Sequence, residues 1–223
     1  VLPVSELQHL DKIAQGTYTA PRLFTISINR QMMEQATEQI PKSLVYEMVG
    51  GKPIYYQGYK DYLTGNKQMD EIMGSSKLQA LIVAELIYLL RSFYGNEYLI
   101  FTNELGLRFG KNAWRAADIA VIKSDLVEDL NDQYLDIPPE LVIEIDTKAD
   151  LQEVRNPLGY YHEKTEDLIQ FGVAKVVWIF TDTRKVLIAE QGNNAWRIYD
   201  WEDQLEITEG LAIDMKRIAN RGK

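Results

Sequence analysis

Apolar positions change their period along the chain, and each change marks an element. From Pro41 onward, SLVYEMV and KPIYYQG are short aromatic and β-branched runs that meet at Gly50-Gly51, the pattern of a β-hairpin. Between Asp70 and Tyr94 the period lengthens to that of a helix, with Leu78, Leu81, Ile82, Leu86, Leu89 and Phe93 on one stripe. YLIFTNE and LGLRFG then predict a second pair of strands, ADIAVI a central strand and LVIEID another, with KVVWIFTD, KVLIAEQ and AWRIYDW closing the series. Between LVIEID and KVVWIF the spacing predicts a helix that opens at Asn156-Pro157 and stops at Gly172. The expected class is mixed α/β, a central sheet flanked by helices.

Residues 1–40 read differently, with a turn-like QGTYTAPR followed by a helical pattern in NRQMMEQATEQ. They are expected to form an N-terminal arm packing on a main domain over residues 41–223. Neither a repeat nor a Pro/Gly/Ser-rich linker divides that domain further.

With 223 residues, 46% hydrophobic and 26% charged, the chain can build a sizeable core. Zero cysteines exclude a disulfide scaffold, a Cys-ligated zinc or iron–sulfur site and a Cys nucleophile, and suit the reducing cytoplasm, the expected location. Neither a membrane span nor a signal peptide is expected, because no apolar run is long enough and the first residues lack a basic and apolar leader pattern. Two histidines make no His-rich metal site, and neither a G-x-S-x-G elbow nor a Walker loop is present. A net charge of −9, from 24 Lys and Arg against 33 Asp and Glu, opposes a broad nucleic-acid footprint and leaves DNA binding to a local groove. Tyr55, Tyr56, Tyr59 and Tyr62 beside Lys52, Lys60 and Lys67 form the most basic-aromatic stretch, with packing as their first expected role and base stacking as the second.

Chemistry concentrates further along. If ELVIEIDTK is a strand, Leu141, Ile143, Ile145 and Thr147 face one way, and Glu140, Val142, Glu144, Asp146 and Lys148 the other. Such alternation fits a half-buried edge strand with a solvated face, or a central strand that projects Glu144 and Asp146 into a cleft. Asp118 stands near the start of ADIAVI, where strand propensity disfavours it. On the helix after Pro157, Lys164 falls inside the stripe of Leu158, Tyr161, Leu168 and Phe171, where a cation needs an anionic partner or a route along its stem to water. Glu85 falls likewise within the stripe of the earlier helix. Residues 140–170 hold eight acidic and three basic side chains, a local charge of −5 that repels phosphate unless a cation intervenes. Oxygen ligands of this kind suit Mg²⁺ or Mn²⁺. An ion held by Asp118 and Glu144, with Lys164 orienting a water or stabilising transition-state charge, would serve phosphodiester hydrolysis.

The succession YEMVGGKPIYY, SSKLQALIVAEL, ADIAVI, IPPELVIEID and HEKTEDLIQFGVAKVVWIFTD resembles the Uma family, a branch of the PD-(D/E)xK nuclease superfamily, over roughly Ile40 to Met215. The resemblance implies a restriction-endonuclease-like fold and Mg²⁺- or Mn²⁺-dependent cleavage of DNA. Asp118 matches the motif Asp, here after Ala117 rather than Pro, and Glu144 matches the Glu of the following strand, with the backbone carbonyl of Ile145 as a further metal ligand. The superfamily's commonest lysine position is Asp146 here. The Uma branch carries its lysine on the next helix, which matches Glu163-Lys164 before Phe171-Gly172-Val173, and Lys148 is the reserve. Asp146 and Glu85 are accessory carboxylates in this reading. The chain has Gly50-Gly51-Lys52 where the family has Asp-Gly-Glu, and Gln79 where it has His. A homodimer is expected, since two sites related by a twofold axis cut both strands of a duplex most simply. The alternative function, of another class, is a nuclease fold that no longer cuts and serves as a binding or assembly module, and a hydrolase of small phosphate esters is a third reading.

Overall fold

In the computed structural model, residues 40–152 and 156–221 are described, and the expected N-terminal arm lies outside them. The hairpin forms as the glycines require: β1 (Val45–Val49) and β2 (Lys52–Tyr55) pair antiparallel across Gly50 and Gly51, whose φ values of 53° and 79° are left-handed. Two short helices follow, α1 (Tyr59–Leu63) and α2 (Met69–Met73), before the long α3 (Lys77–Tyr94). The sequence period predicts one helix over Asp70 to Tyr94. It is broken because Gly74 is extended and Ser76 starts a new helix, its hydroxyl accepting from the Gln79 amide at 3.1 Å.

β3 (Tyr98–Gly110) joins the two runs read as separate strands and pairs antiparallel with β4 (Ala113–Lys123). β5 (Leu141–Ile145) is buried throughout, between antiparallel β4 and parallel β6 (Lys175–Phe180), so the half-buried edge reading gives way to the central one. α4 (Pro157–Phe171) connects β5 to β6, ending at left-handed Gly172. β7 (Lys185–Glu190) and β8 (Asn193–Asp200) extend the sheet antiparallel. A two-stranded sheet of β9 (Leu205–Thr208) and β10 (Leu211–Ile213), then α5 (Met215–Ala219), complete Ser43–Lys223 as one compact unit.

The eight-stranded sheet runs β2-β1-β4-β5-β6-β7-β8, with β3 on the far side of β4. One sheet face carries Ile119, Val121, Ile143, Ile145, Val177 and Ile179 into a core with Ile82, Leu86 and Leu90 of α3 and Met215 and Ile218 of α5. α4 covers the opposite face, where the Trp178 indole donates to Thr165 Oγ1 at 2.9 Å. Leu135 then lies along β3, accepting from the Arg108 amide at 2.8 Å and donating to the Gly106 carbonyl at 2.9 Å, which blunts that edge.

β4 shares one of its edges between two partners. Its first half pairs with β1, Met48 opposite Trp114, and its second half with β5, Ile119 opposite Ile143. Between the two pairings, around Ala116 to Asp118, the ladder is open, and polar side chains occupy the gap.

Candidate active site

Asp118 and Glu144 sit at that opening, each one residue beyond the paired Ile119 and Ile143. Asp118 Oδ2 accepts from the Ile145 amide at 2.7 Å, closing the ladder with a side chain in place of a carbonyl, and its other oxygen takes no hydrogen bond from the described residues. Burial raises its pKa against the Ile145 hydrogen bond and the fields of Lys164 and Lys148. Glu144 is fully buried. Its Oε2 accepts from Lys164 Nζ at 2.9 Å, while Oε1 is buried without any hydrogen-bond partner. Burial outweighs the attraction of Lys164, and Asp118 repels from nearby, so the Glu144 carboxyl is pushed up to about 8.

Lys164 also lies 2.9 Å from Oε1 of Glu47, under the rings of Tyr46 and Trp178 with centroids 5.6 and 5.4 Å away. It has no exposed surface, so the snorkelling alternative does not apply. Burial disfavours its charge, but Glu144 and Glu47 together hold it protonated, well above the ordinary lysine value. Glu47 was not anticipated. It accepts from Arg115 at 2.9 Å, the Tyr160 hydroxyl at 3.0 Å and the Ala116 amide at 3.2 Å. Arg115, equally buried, continues to Asp167 through Nε at 2.9 Å and Nη2 at 2.5 Å. The signal for both was available: a Glu in VYEMV and an Arg in AWRAADIAVI interrupt apolar strands as Asp118 does.

Both accessory carboxylates are placed elsewhere. Asp146 follows the end of β5 with φ 57°, which breaks the two-residue alternation and turns it from Glu144; its carboxylate accepts from the amide and hydroxyl of Thr181 at 2.8 and 2.7 Å. Glu85 pairs with Arg221 on the α5 side, because the buried stripe of α3 runs through Gln79, Ile82, Leu86 and Leu90. From that stripe Gln79 Nε2 donates to the Ile145 carbonyl at 2.8 Å. Leu158, expected in the α4 stripe, is exposed.

Lys148 bonds Glu104 and the Met73 carbonyl, the latter at 3.1 Å, and both Lys148 and Glu104 lie close enough to shift Asp118 electrostatically. Glu104 stands in a β-bulge. Asn103 and Glu104, φ 69° and 56°, fill the interval between Thr102 and Leu105 opposite the single residue Asp118. Two successive non-glycine residues in left-handed backbone cost on the order of 1–3 kcal/mol each, and no sequence period reveals them.

A hard dication fits this donor set. Buried Glu144 Oε1 needs a proton or a cation, and the second oxygen of Asp118 is available beside it. Among the described residues no three His, Asp or Glu side chains are gathered at ligand spacing. Two carboxylates still suffice for Mg²⁺, which keeps several waters of its own.

A mixed sheet with a forked central strand, helices on both faces and paired acids at the fork has the architecture of a nuclease-like α/β domain. The same fold occurs in a solved structure from Anabaena variabilis ATCC 29413, titled as a putative nuclease belonging to DUF820, at TM-score 0.58 and 14% identity over 83% of this chain and 96% of that one. The chain belongs to the Uma2 family, described as "Putative restriction endonuclease", whose profile matches residues 64–217. No curated protein matches it.

Proposed function

We propose that the protein is a Mg²⁺- or Mn²⁺-dependent endonuclease that hydrolyses DNA phosphodiesters at Asp118 and Glu144. The observation that carries this reading is the orphaned Oε1 of Glu144, a carboxyl oxygen kept dry beside a second carboxylate, where a cation can take the place of a proton. Each acid has one oxygen fixed by the protein, Asp118 by the Ile145 amide and Glu144 by Lys164, so each presents the other in a set direction. When bound there, the metal supplies positive charge at the phosphate oxygens and acidifies water. Lys164 orients Glu144, and the Glu47–Arg115–Asp167 chain fixes Lys164 in turn. The Ile145 carbonyl, already bonded to Gln79, retains a second lone pair for the ion. The expected form is a cytoplasmic homodimer acting on duplex DNA. No described helix is long and apolar enough to cross a membrane.

Cleavage of supercoiled plasmid and of single-stranded DNA, with Mg²⁺ or Mn²⁺, tests the reading. Wild type should nick the plasmid, and Asp118→Asn and Glu144→Gln should lose at least about a hundredfold in rate. A folded wild type that binds neither ion and cuts neither substrate would overturn the reading in favour of a binding or assembly module.

A further inference from the structure

Glu104 stands in the β3 bulge opposite Asp118 of β4, so two acidic side chains are set close together. Burial is the main cause of the raised Asp118 pKa, and the Glu104 charge adds to it by repulsion. Glu104 stays there because two donors from separate segments converge on it: Lys148 on Oε1, and the Tyr56 hydroxyl on Oε2 at 2.6 Å. Burial and the Glu104 charge both push the Tyr56 phenol up, so it remains a donor across the neutral range.

The donors are fixed more firmly than the acceptor. Tyr56 and Ala149 form an antiparallel bridge, the Gln57 amide donates to the Lys148 carbonyl at 2.6 Å, and the Asp150 amide to the Tyr55 carbonyl at 2.8 Å. Glu104, by contrast, hangs from a strained bulge. The pair remains open to solute, with 16% of the Lys148 side chain and 24% of Glu104 exposed.

We infer that Lys148 and Tyr56 form a phosphate subsite beside Asp118, occupied in the free protein by the Glu104 carboxylate, which a phosphodiester of the bound strand displaces. A phosphate offers the same two acceptor oxygens to the same ammonium and hydroxyl, and both bonds are charge-assisted. The carboxylate thus stands in for the ligand, keeping a partly buried cation paired until substrate arrives. This inference rests on the nuclease reading for the identity of its ligand, and on the Glu104 geometry for the subsite itself.

Opposite responses of the two partners test it. Binding of a short fluorescein-labelled duplex is measured by anisotropy in Ca²⁺ across a salt series, with Lys148→Ala and Glu104→Gln beside wild type. Lys148→Ala should weaken binding about tenfold and lower the slope of log K against log salt by about 0.9. Glu104→Gln, which keeps the shape and removes the competing charge, should tighten it at least about threefold. Weakening by both variants would make the pair a structural salt bridge and overturn the inference, as would unchanged affinity in both while wild type binds. A second probe, inorganic pyrophosphate in a thermal-shift titration, reads the subsite without DNA. Stabilisation of wild type that is larger in Glu104→Gln and lost in Lys148→Ala upholds the subsite even where the duplex does not bind and the DNA reading fails. No stabilisation of any of the three overturns it.

Discussion

Glu47 and Glu144, 97 residues apart in sequence, share one ammonium: Lys164 Nζ lies 2.9 Å from an oxygen of each, and all three side chains are buried. The sharing is unequal. Glu47 also receives Arg115, Tyr160 and the Ala116 amide, whereas Glu144 has Lys164 alone and one oxygen with nothing.

That inequality predicts different costs for the same substitution. Glu47→Gln strands Lys164 and Arg115 with less anionic charge than they need and should cost about 2–4 kcal/mol in urea unfolding. Glu144→Gln removes a poorly compensated acid and should cost under about 1 kcal/mol. Equal costs would mean that the two carboxylates are interchangeable partners of Lys164.

Stability should fall as pH rises from about 4.5 to about 8. The folded protein holds a proton on Glu144 up to about 8, against an ordinary 4.5, and Asp118 is shifted the same way. Across this window the native state binds more protons than the unfolded chain, so the contribution is complete below it and lost through it, on the order of a few kcal/mol. Urea midpoints at several pH values should show the decline in wild type and a flatter profile in Glu144→Gln. A wild-type profile as flat as the variant's would assign Glu144 an ordinary titration.

A divalent ion should relieve the same strain. Mn²⁺ at about a hundred times its Kd would stabilise the fold by about 2.7 kcal/mol, several degrees in Tm. The gain should be larger above pH 8 than near pH 6, because proton and metal compete for Glu144, and it should vanish in Asp118→Asn. A shift that survives that substitution places the ion elsewhere.

Gly106→Ala tests the segment that covers β3. A Cβ there would lie 2.6 Å from the Tyr134 ring, which also packs against Trp114 with ring centroids 5.2 Å apart. The substitution should cost about 1–3 kcal/mol and expose residues 127–137 to protease, and Tyr134→Ala on top of it should recover part of the loss. Additive costs in the double variant would show that the ring can step aside.

Much of this architecture is legible in the sequence, for identifiable reasons. The hairpin glycines, the Asn156-Pro157 start and Gly172 stop of α4, and the apolar strands each carry a local signal that tertiary structure leaves intact. Asp118, Glu144 and Lys164 stand out as polar interruptions of apolar patterns, and the fold does bring them together. Asp146 is turned away from Glu144, and Glu104 goes unsignalled, because left-handed backbone at each defeats the two-residue period. Glu85 leaves the buried stripe of α3 and Gln79 enters it, because that stripe is rotated by about one residue from the predicted one.

The forked edge of β4 also orders events in time. Glu47, Asp118, Glu144 and Lys164 come from four elements that meet only when β1 and β5 have both docked on that one strand, in the single register that sends Glu144 to the α4 face. A nascent chain on the ribosome therefore carries these charges scattered and solvated, and the site is complete only once α4, the last of the four elements, has emerged and closed over the sheet.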